Sequence, residues 1–288
     1  MLRTNRVDDA ITSGRTAVNA WVTMESTYVA EILSYAGFDS VTIDAQHGMF
    51  GRDAIMPMLQ AVCAGHASPF VRSPSQDPRE IGWLLDAGAY GVIVPDVSTA
   101  EQAETVARAC YYPPLGTRSL GPTRGTLYAG PSYFQEADQV IQVWPQIESA
   151  QGFENMDAIM DTPGLYGVFV GPNDLALSVG LKAGGTMPQQ IVDMVHTILD
   201  RSHEHGLKMA IYCADEDEAK YWADEGADMV NPSSDSGLLL TGAGPRSATS
   251  SVTRRPTPPT SRRPTDRTGA AERTPPARTY ARAPTACG

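Results

Sequence analysis

The feature that most constrains this chain is an alternation: eight short apolar runs, spaced along the sequence with helical or loop-like segments between them. The runs are AVNAWVTM, SVTIDA, SPFVRS, YGVIVPDV, IQVWPQIES, LYGVFVGP, LKMAIYCA and DMVNPSS. Near-continuous apolar character rich in Val and Ile is what a strand covered on both faces requires. Intervening segments such as STYVAEILSYAG, GRDAIMPMLQAVCAG, DPREIGWLLDAG and MPQQIVDMVHTILDRSHEHG are amphipathic. Several of them end in Gly directly before the next run, where Gly caps a helix C-terminus. Strands alternating with helices must run parallel through crossovers. Eight in series predict a (β/α)8 TIM barrel, with a doubly wound open sheet as the competing architecture.

The pattern stops near residue 241. From Gly242 onward there are nine arginines against Asp266 and Glu272, set among Thr, Pro, Ala and Ser. That segment has too little apolar surface to offset its ordering entropy. The sequence therefore predicts a barrel domain over 1–241 and a disordered basic tail over 242–288. Only SDSGLLL follows the last run, so the eighth helix is predicted to be degenerate or missing.

Charge is split along the same line. Of 22 basic and 33 acidic residues, 13 and 31 precede Gly242, a net charge of −18 for the body. An acidic body argues against nucleic acid as a partner. No apolar run is long enough to span a membrane, and MLRTNRVDDAITSG lacks the apolar stretch of a signal peptide. Cys63, Cys110, Cys213 and Cys287 form no CxxC pair, which reads as reduced thiols in a cytoplasmic protein.

In a barrel the C-terminal strand ends carry the chemistry. Asp44 and His47 close the second run and Arg72 the third. Asp96 follows the fourth, Gln146 and Glu148 end the fifth, and Asn173 and Asp174 follow the sixth. Two carboxylates at neighbouring strand ends, Glu148 and Asp174, suit a hard divalent cation with water or substrate in its other positions. The plainer reading is a pair of solvated acids. Arg72 offers a planar fork to a substrate carboxylate, or else a salt bridge to Glu148 or Asp174. His47 either reacts or packs. The chain's lysines are Lys182, Lys208 and Lys220, none read as lying at a strand's C-terminal end, so Schiff-base chemistry is disfavoured.

Taken in order, IDAQHG, PFVRS, YYPPLGTRSLGP, PQIES and GVFVGPNDL resemble the HpcH/HpaI family of class II pyruvate aldolases. The resemblance runs to SSDSGLLL. It implies reversible cleavage of a 4-hydroxy-2-oxo acid to pyruvate and an aldehyde through a metal-held enolate, with oxaloacetate decarboxylation as a second route to that enolate. It assigns Glu148 and Asp174 as ligands of Mg2+, Mn2+ or Co2+. Arg72 would hold the pyruvate carboxylate or the enolate oxygen, with Gln146, Asn173 and Asp174 lining the substrate site. His47 would be the base, or would position the water that acts as one, with Asp44 orienting it. Asp86 would reach the site of a neighbouring subunit in a homo-oligomer, a hexamer by resemblance. Gln46 stands where many members carry Glu. Two other readings stay open: a different carbon–carbon lyase of the superfamily (citryl- or malyl-CoA lyase-like, or macrophomate-synthase-like), and a catalytically silent binding protein.

Overall fold

Every apolar run becomes a strand. The computed structural model describes residues 3–248. A short helix α1 (Arg6–Thr12) leads into β1 (Ala17–Val22), α2 (Thr27–Tyr35), β2 (Ser40–Asp44), α3 (Arg52–Ala64), β3 (Ser68–Arg72) and α4 (Pro78–Asp86). Then come β4 (Gly91–Val94), α5 (Ala100–Cys110), α6 (Thr123–Ala129), α7 (Tyr133–Glu136) and β5 (Gln142–Ile147). The second half adds α8 (Ala150–Glu154), α9 (Met156–Met160), β6 (Gly167–Val170), α10 (Pro172–Ser178), α11 (Gln189–Glu204), β7 (Lys208–Tyr212), α12 (Glu216–Glu225), β8 (Met229–Asn231) and α13 (Asp235–Ala248). Local chemistry marks the helix ends. Ser26 caps α2, Thr99 and Gln102 form a capping box on α5, and Gly226 closes α12 at φ 107°.

All strand pairs are parallel and the sheet closes, β1 to β8, through Ala17 opposite Met229 and Val18 opposite Val230. Closure rules out the open sheet. Side chains alternate across each strand, so every second residue points into the barrel. Trp21, Phe70, Ile93, Trp144, Phe169, Ala210 and Met229 fill that interior, and Val7 and Ala10 of α1 pack into the same cluster. The opposite parity, with Val41, Ile43, Val71, Val92, Val143, Val168 and Ile211, packs against the helices.

A helix does follow β8, and it crosses the boundary drawn at residues 241/242. Gly237, Gly242, Gly244 and Pro245 make it poor in intrinsic propensity, so tertiary contacts hold its start. The buried Asp235 carboxylate accepts from the backbone N–H groups of Thr23, Met24 and Ser236 and from the Thr23 hydroxyl. That ties the first turn of α13 to the loop after β1. Leu238 packs on the core, while Leu239 and Leu240 stay exposed at 63% and 73%. The rest of the predicted tail, residues 249–288, lies outside the described residues. Among those described, no helix is long and apolar enough to cross a membrane.

Candidate active site

Alternation along the strands puts one set of polar residues at the C-terminal mouth. Going up the interior parity, Thr42 is followed by Asp44, Phe70 by Arg72, Trp144 by Gln146 and then Glu148, and Ala210 by Tyr212. A cavity of about 250 Å³ lies at that mouth, and its lining includes Asp44, His47, Arg72, Gln146, Asn173 and Asp174.

Asp44 and Arg72 face each other across the β2–β3 register. The Arg72 Nε donates to Asp44 Oδ1 at 2.9 Å and its Nη2 to Oδ2 at 2.5 Å. Trp21 Nε1 donates to the same carboxylate at 3.0 Å, and the backbone N–H groups of Gln46 and His47 complete its shell. Burial alone pushes the Asp44 carboxyl up, but the hydrogen bond and charge of Arg72, with Trp21, bring it below the usual carboxylate range. Two expectations change here. The Arg72 partner is Asp44, not Glu148 or Asp174, and its Nε/Nη2 edge is already taken. Nη1 has no hydrogen-bond partner among the described residues and remains for a ligand. Asp44 does not bond the His47 imidazole; it holds the backbone of His47, whose ring is exposed at the mouth.

Glu148 follows β5 and Asp174 lies in the first turn of α10, after the adjacent β6. Glu148 is 5% exposed. Its Oε1 accepts from the backbone N–H of Asp96 at 2.8 Å and its Oε2 from Gln146 Nε2 at 2.5 Å. Burial, reinforced by the charges of Asp96 and Asp174, pushes its carboxyl up to about 7. Asp96 reaches it from a left-handed backbone, φ 59°, which Gln76 braces by donating to the carbonyls of Pro95 and Asp96. A buried acid raised by its acidic neighbours, with no cationic side chain bonded to it among the described residues, is the setting a divalent cation relieves. Among the described residues no third His, Cys, Asp or Glu joins them in a metal-holding cluster. The donor set is two hard oxygens with room for water or substrate, which fits Mg2+, Mn2+ or Co2+.

Gly171 leaves the space that Gln146 and Glu148 occupy. A Cβ there would lie 2.6 Å from Gln146 Nε2 and 2.7 Å from Glu148 Oε2. Its φ of −102° suits any residue, so the need is space, not conformation. Gly171→Ala should fold with a melting temperature near wild type yet lose most turnover, because Gln146 and Glu148 must both move. A circular-dichroism melt beside an activity assay checks this.

The remaining residues divide. Asn173 lines the mouth and accepts from the Gly184 N–H. Asp86 ends α4 near the start of β4, at the opposite end of the barrel, where Arg118 donates to it at 2.6 Å. It does not join this cavity. Lys208, first residue of β7, pairs with Asp228, and Lys220 is an exposed residue of α12. Sequence reasoning missed Trp21, Thr23, Tyr212 and Ser234, which complete the lining from β1, β7 and β8. Their one signal was position at a strand end, because their side-chain types are common in cores and loops.

A closed parallel barrel with acids, an arginine and a histidine gathered at its C-terminal mouth has the layout of a TIM-barrel enzyme, and the comparisons with known proteins agree. A family model, HpcH/HpaI aldolase/citrate lyase, matches residues 18–241. The hydroxypyruvate/pyruvate aldolase of Rhizorhabdus wittichii is 37% identical over 240 residues, 83% of this chain and 96% of that protein. The 4-hydroxy-2-oxo-heptane-1,7-dioate aldolase of Klebsiella pneumoniae is 34% identical, covering 83% and 91%. Among solved structures, an HpcH/HpaI aldolase/citrate lyase family protein from Burkholderia cenocepacia superposes with TM-score 0.78 at 28% identity, over 86% of this chain and 99% of that one. The chain belongs to the HpcH/HpaI aldolase/citrate lyase family.

Proposed function

We propose that this chain is a divalent-metal-dependent aldolase that reversibly cleaves a 4-hydroxy-2-oxo acid into pyruvate and an aldehyde. One observation carries the reading: the Glu148–Asp174 pair at adjacent strand ends, with Glu148 buried and raised to about 7 and, among the described residues, no cationic side chain bonded to either acid. The pyruvate aldolases among its relatives support the donor. No lysine lines the cavity among the described residues, which favours a metal over a Schiff base.

Glu148 and Asp174 would hold the cation, which supplies Lewis acidity to the 2-oxo acid. Gln146 and the Asp96 N–H fix the Glu148 carboxylate in place. Arg72, anchored by Asp44, offers Nη1 to the carboxylate or to the oxygen on which negative charge develops. His47 takes a proton from C3 of pyruvate, directly or through water. C3 then bonds to the aldehyde carbonyl carbon, and the proton passes to the aldehyde oxygen, which becomes the 4-hydroxyl. Cleavage is the reverse. The test is deuterium incorporation into the pyruvate methyl group in D2O, followed by NMR. Exchange should need Mg2+, Mn2+ or Co2+ and stop with EDTA; exchange that survives EDTA would remove the metal from the reading.

The reading extends to assembly and compartment: a cytoplasmic homo-oligomer, a hexamer by family resemblance, in which Asp86 serves the mouth of a neighbouring chain. Asp86 lies far along the barrel from its own mouth, which supports this, as does the apolar stripe of Tyr28, Ile32 and Tyr35 exposed along α2. Cys63, Cys110 and Cys213 are free thiols, in keeping with a reducing compartment. Light scattering should give a mass of several chains.

A further inference from the structure

The cavity has two chemically different sides. The β2, β3, β5 and β6 ends bring the ionic groups described above. The β1, β7 and β8 ends bring hydroxyls: Thr23, Tyr212 and Ser234. We propose that this hydroxyl side receives the aldehyde and selects a neutral, hydroxylated acceptor over an anionic one; the inference rests on the aldolase reading.

The hydroxyls are held in place. The Thr23 hydroxyl donates to the buried Asp235 carboxylate at 2.7 Å and meets the Ser236 hydroxyl at 3.3 Å, which leaves it one lone pair as an acceptor toward the cavity. Ser234 Oγ is fixed by the Gly237 N–H at 3.2 Å and by the Ser236 hydroxyl at 3.0 Å. The Tyr212 ring packs edge-on against Trp21 at 5.4 Å, which aims its hydroxyl over the mouth beside Ser234. Such a wall presents both donors and acceptors. A ligand hydroxyl is both, whereas a carboxylate only accepts.

Charge points the same way. Among the described residues Arg72 is the only arginine or lysine lining the cavity, and Asp44 already pairs with it. Asp174 lines the cavity too, and Glu148, Asp96 and Asp235 stand around it. Lys182 lies exposed at an adjoining recess of about 50 Å³ that shares Asn173 and Tyr212 with the mouth. With Glu148 and Asp174 offset by the cation they would hold, a carboxylate on the acceptor would still meet no counter-charge on the hydroxyl wall, where the Asp235 carboxylate stands behind Thr23.

The test uses the full chain with Mg2+, pyruvate and three small aldehydes. Propanal carries a methyl where glycolaldehyde carries a hydroxyl, and glyoxylate carries a carboxylate instead. Glycolaldehyde should exceed both others in kcat/KM by at least about tenfold, since a site built to bond a hydroxyl rejects the analogue lacking it. Tyr212→Phe and Thr23→Val should each pull the glycolaldehyde-to-propanal ratio toward one. Because the ratio is taken within each variant, a general loss of activity does not move it. Preference for glyoxylate, above all one lost in Lys182→Met, would overturn the proposal, as would an unchanged ratio in both variants. Pyruvate deuterium exchange without any aldehyde separates the two readings. If exchange is absent, the aldolase reading fails and this inference with it; if it is present but the anion is preferred, only this inference fails.

Discussion

Glu148→Gln and Asp174→Asn should each lower pyruvate exchange and aldol cleavage by about a thousandfold or more, the scale of several kcal/mol of Lewis-acid stabilisation at 1.36 kcal/mol per factor of ten. Folding should survive. In the metal-free protein a carboxyl raised to about 7 lies above its ordinary value of 4.5. The folded state then binds more protons than the unfolded one between those values, so this group costs stability as pH rises through that window. Gln at 148 carries no charge, so at pH 8 the metal-free variant should melt no lower than metal-free wild type. Calorimetry beside an exchange assay measures both effects. A variant that melts far lower would make Glu148 a structural residue, and one that keeps exchange would dissolve the metal assignment.

Asp44→Asn should be the most destabilising single change at the mouth. Asp44 is 1% exposed and the Arg72 side chain 11%, so the substitution leaves a buried guanidinium without its counter-charge. Breaking a buried pair from one side costs about 3–5 kcal/mol. The double variant Asp44→Asn, Arg72→Met should recover most of that stability, because no unpaired charge remains. It should recover no activity, because no guanidinium faces the 2-oxo acid. Urea unfolding of the two variants gives the coupling, and exchange kinetics give the function. Equal stability of single and double variants would mean that the pair is worth little as a pair. Arg72→Lys is a milder probe: a lysine keeps the charge but cannot offer Asp44 the same two-pronged edge, so pyruvate affinity and rate should fall together.

Much of this site was legible in the chain because its causes are local. A strand's side chains alternate with period two, and a strand ends where apolar residues give way to polar ones. SVTIDA therefore carried Asp44 to a strand end, SPFVRS carried Arg72, and IQVWPQIES carried both Gln146 and Glu148. The repeating βα order brought those ends to one face. The two carboxylates and the histidine could be listed at the mouth without any coordinate. The helix after β8 was not legible in the same way. Its glycines and proline carry no helical signal, and its first turn is held by Asp235 bonding a loop more than two hundred residues earlier in the chain.

What the sequence alone determined, then, is the inventory: eight strands, their parallel sense, and which polar residues each delivers to its end. The tertiary structure decided who meets whom. Arg72 pairs with Asp44 because the β2–β3 register sets those two residues opposite each other. Gly171 must lack a side chain because the β5–β6 seam brings it against Gln146 and Glu148. Thr23, Tyr212 and Ser234 share one wall only because β1 pairs with β8 and closes the sheet. Alternation and strand ends follow from the backbone geometry of a few neighbouring residues. Register and closure depend on the packing of all eight strands around a common interior, and no local stretch of sequence contains that.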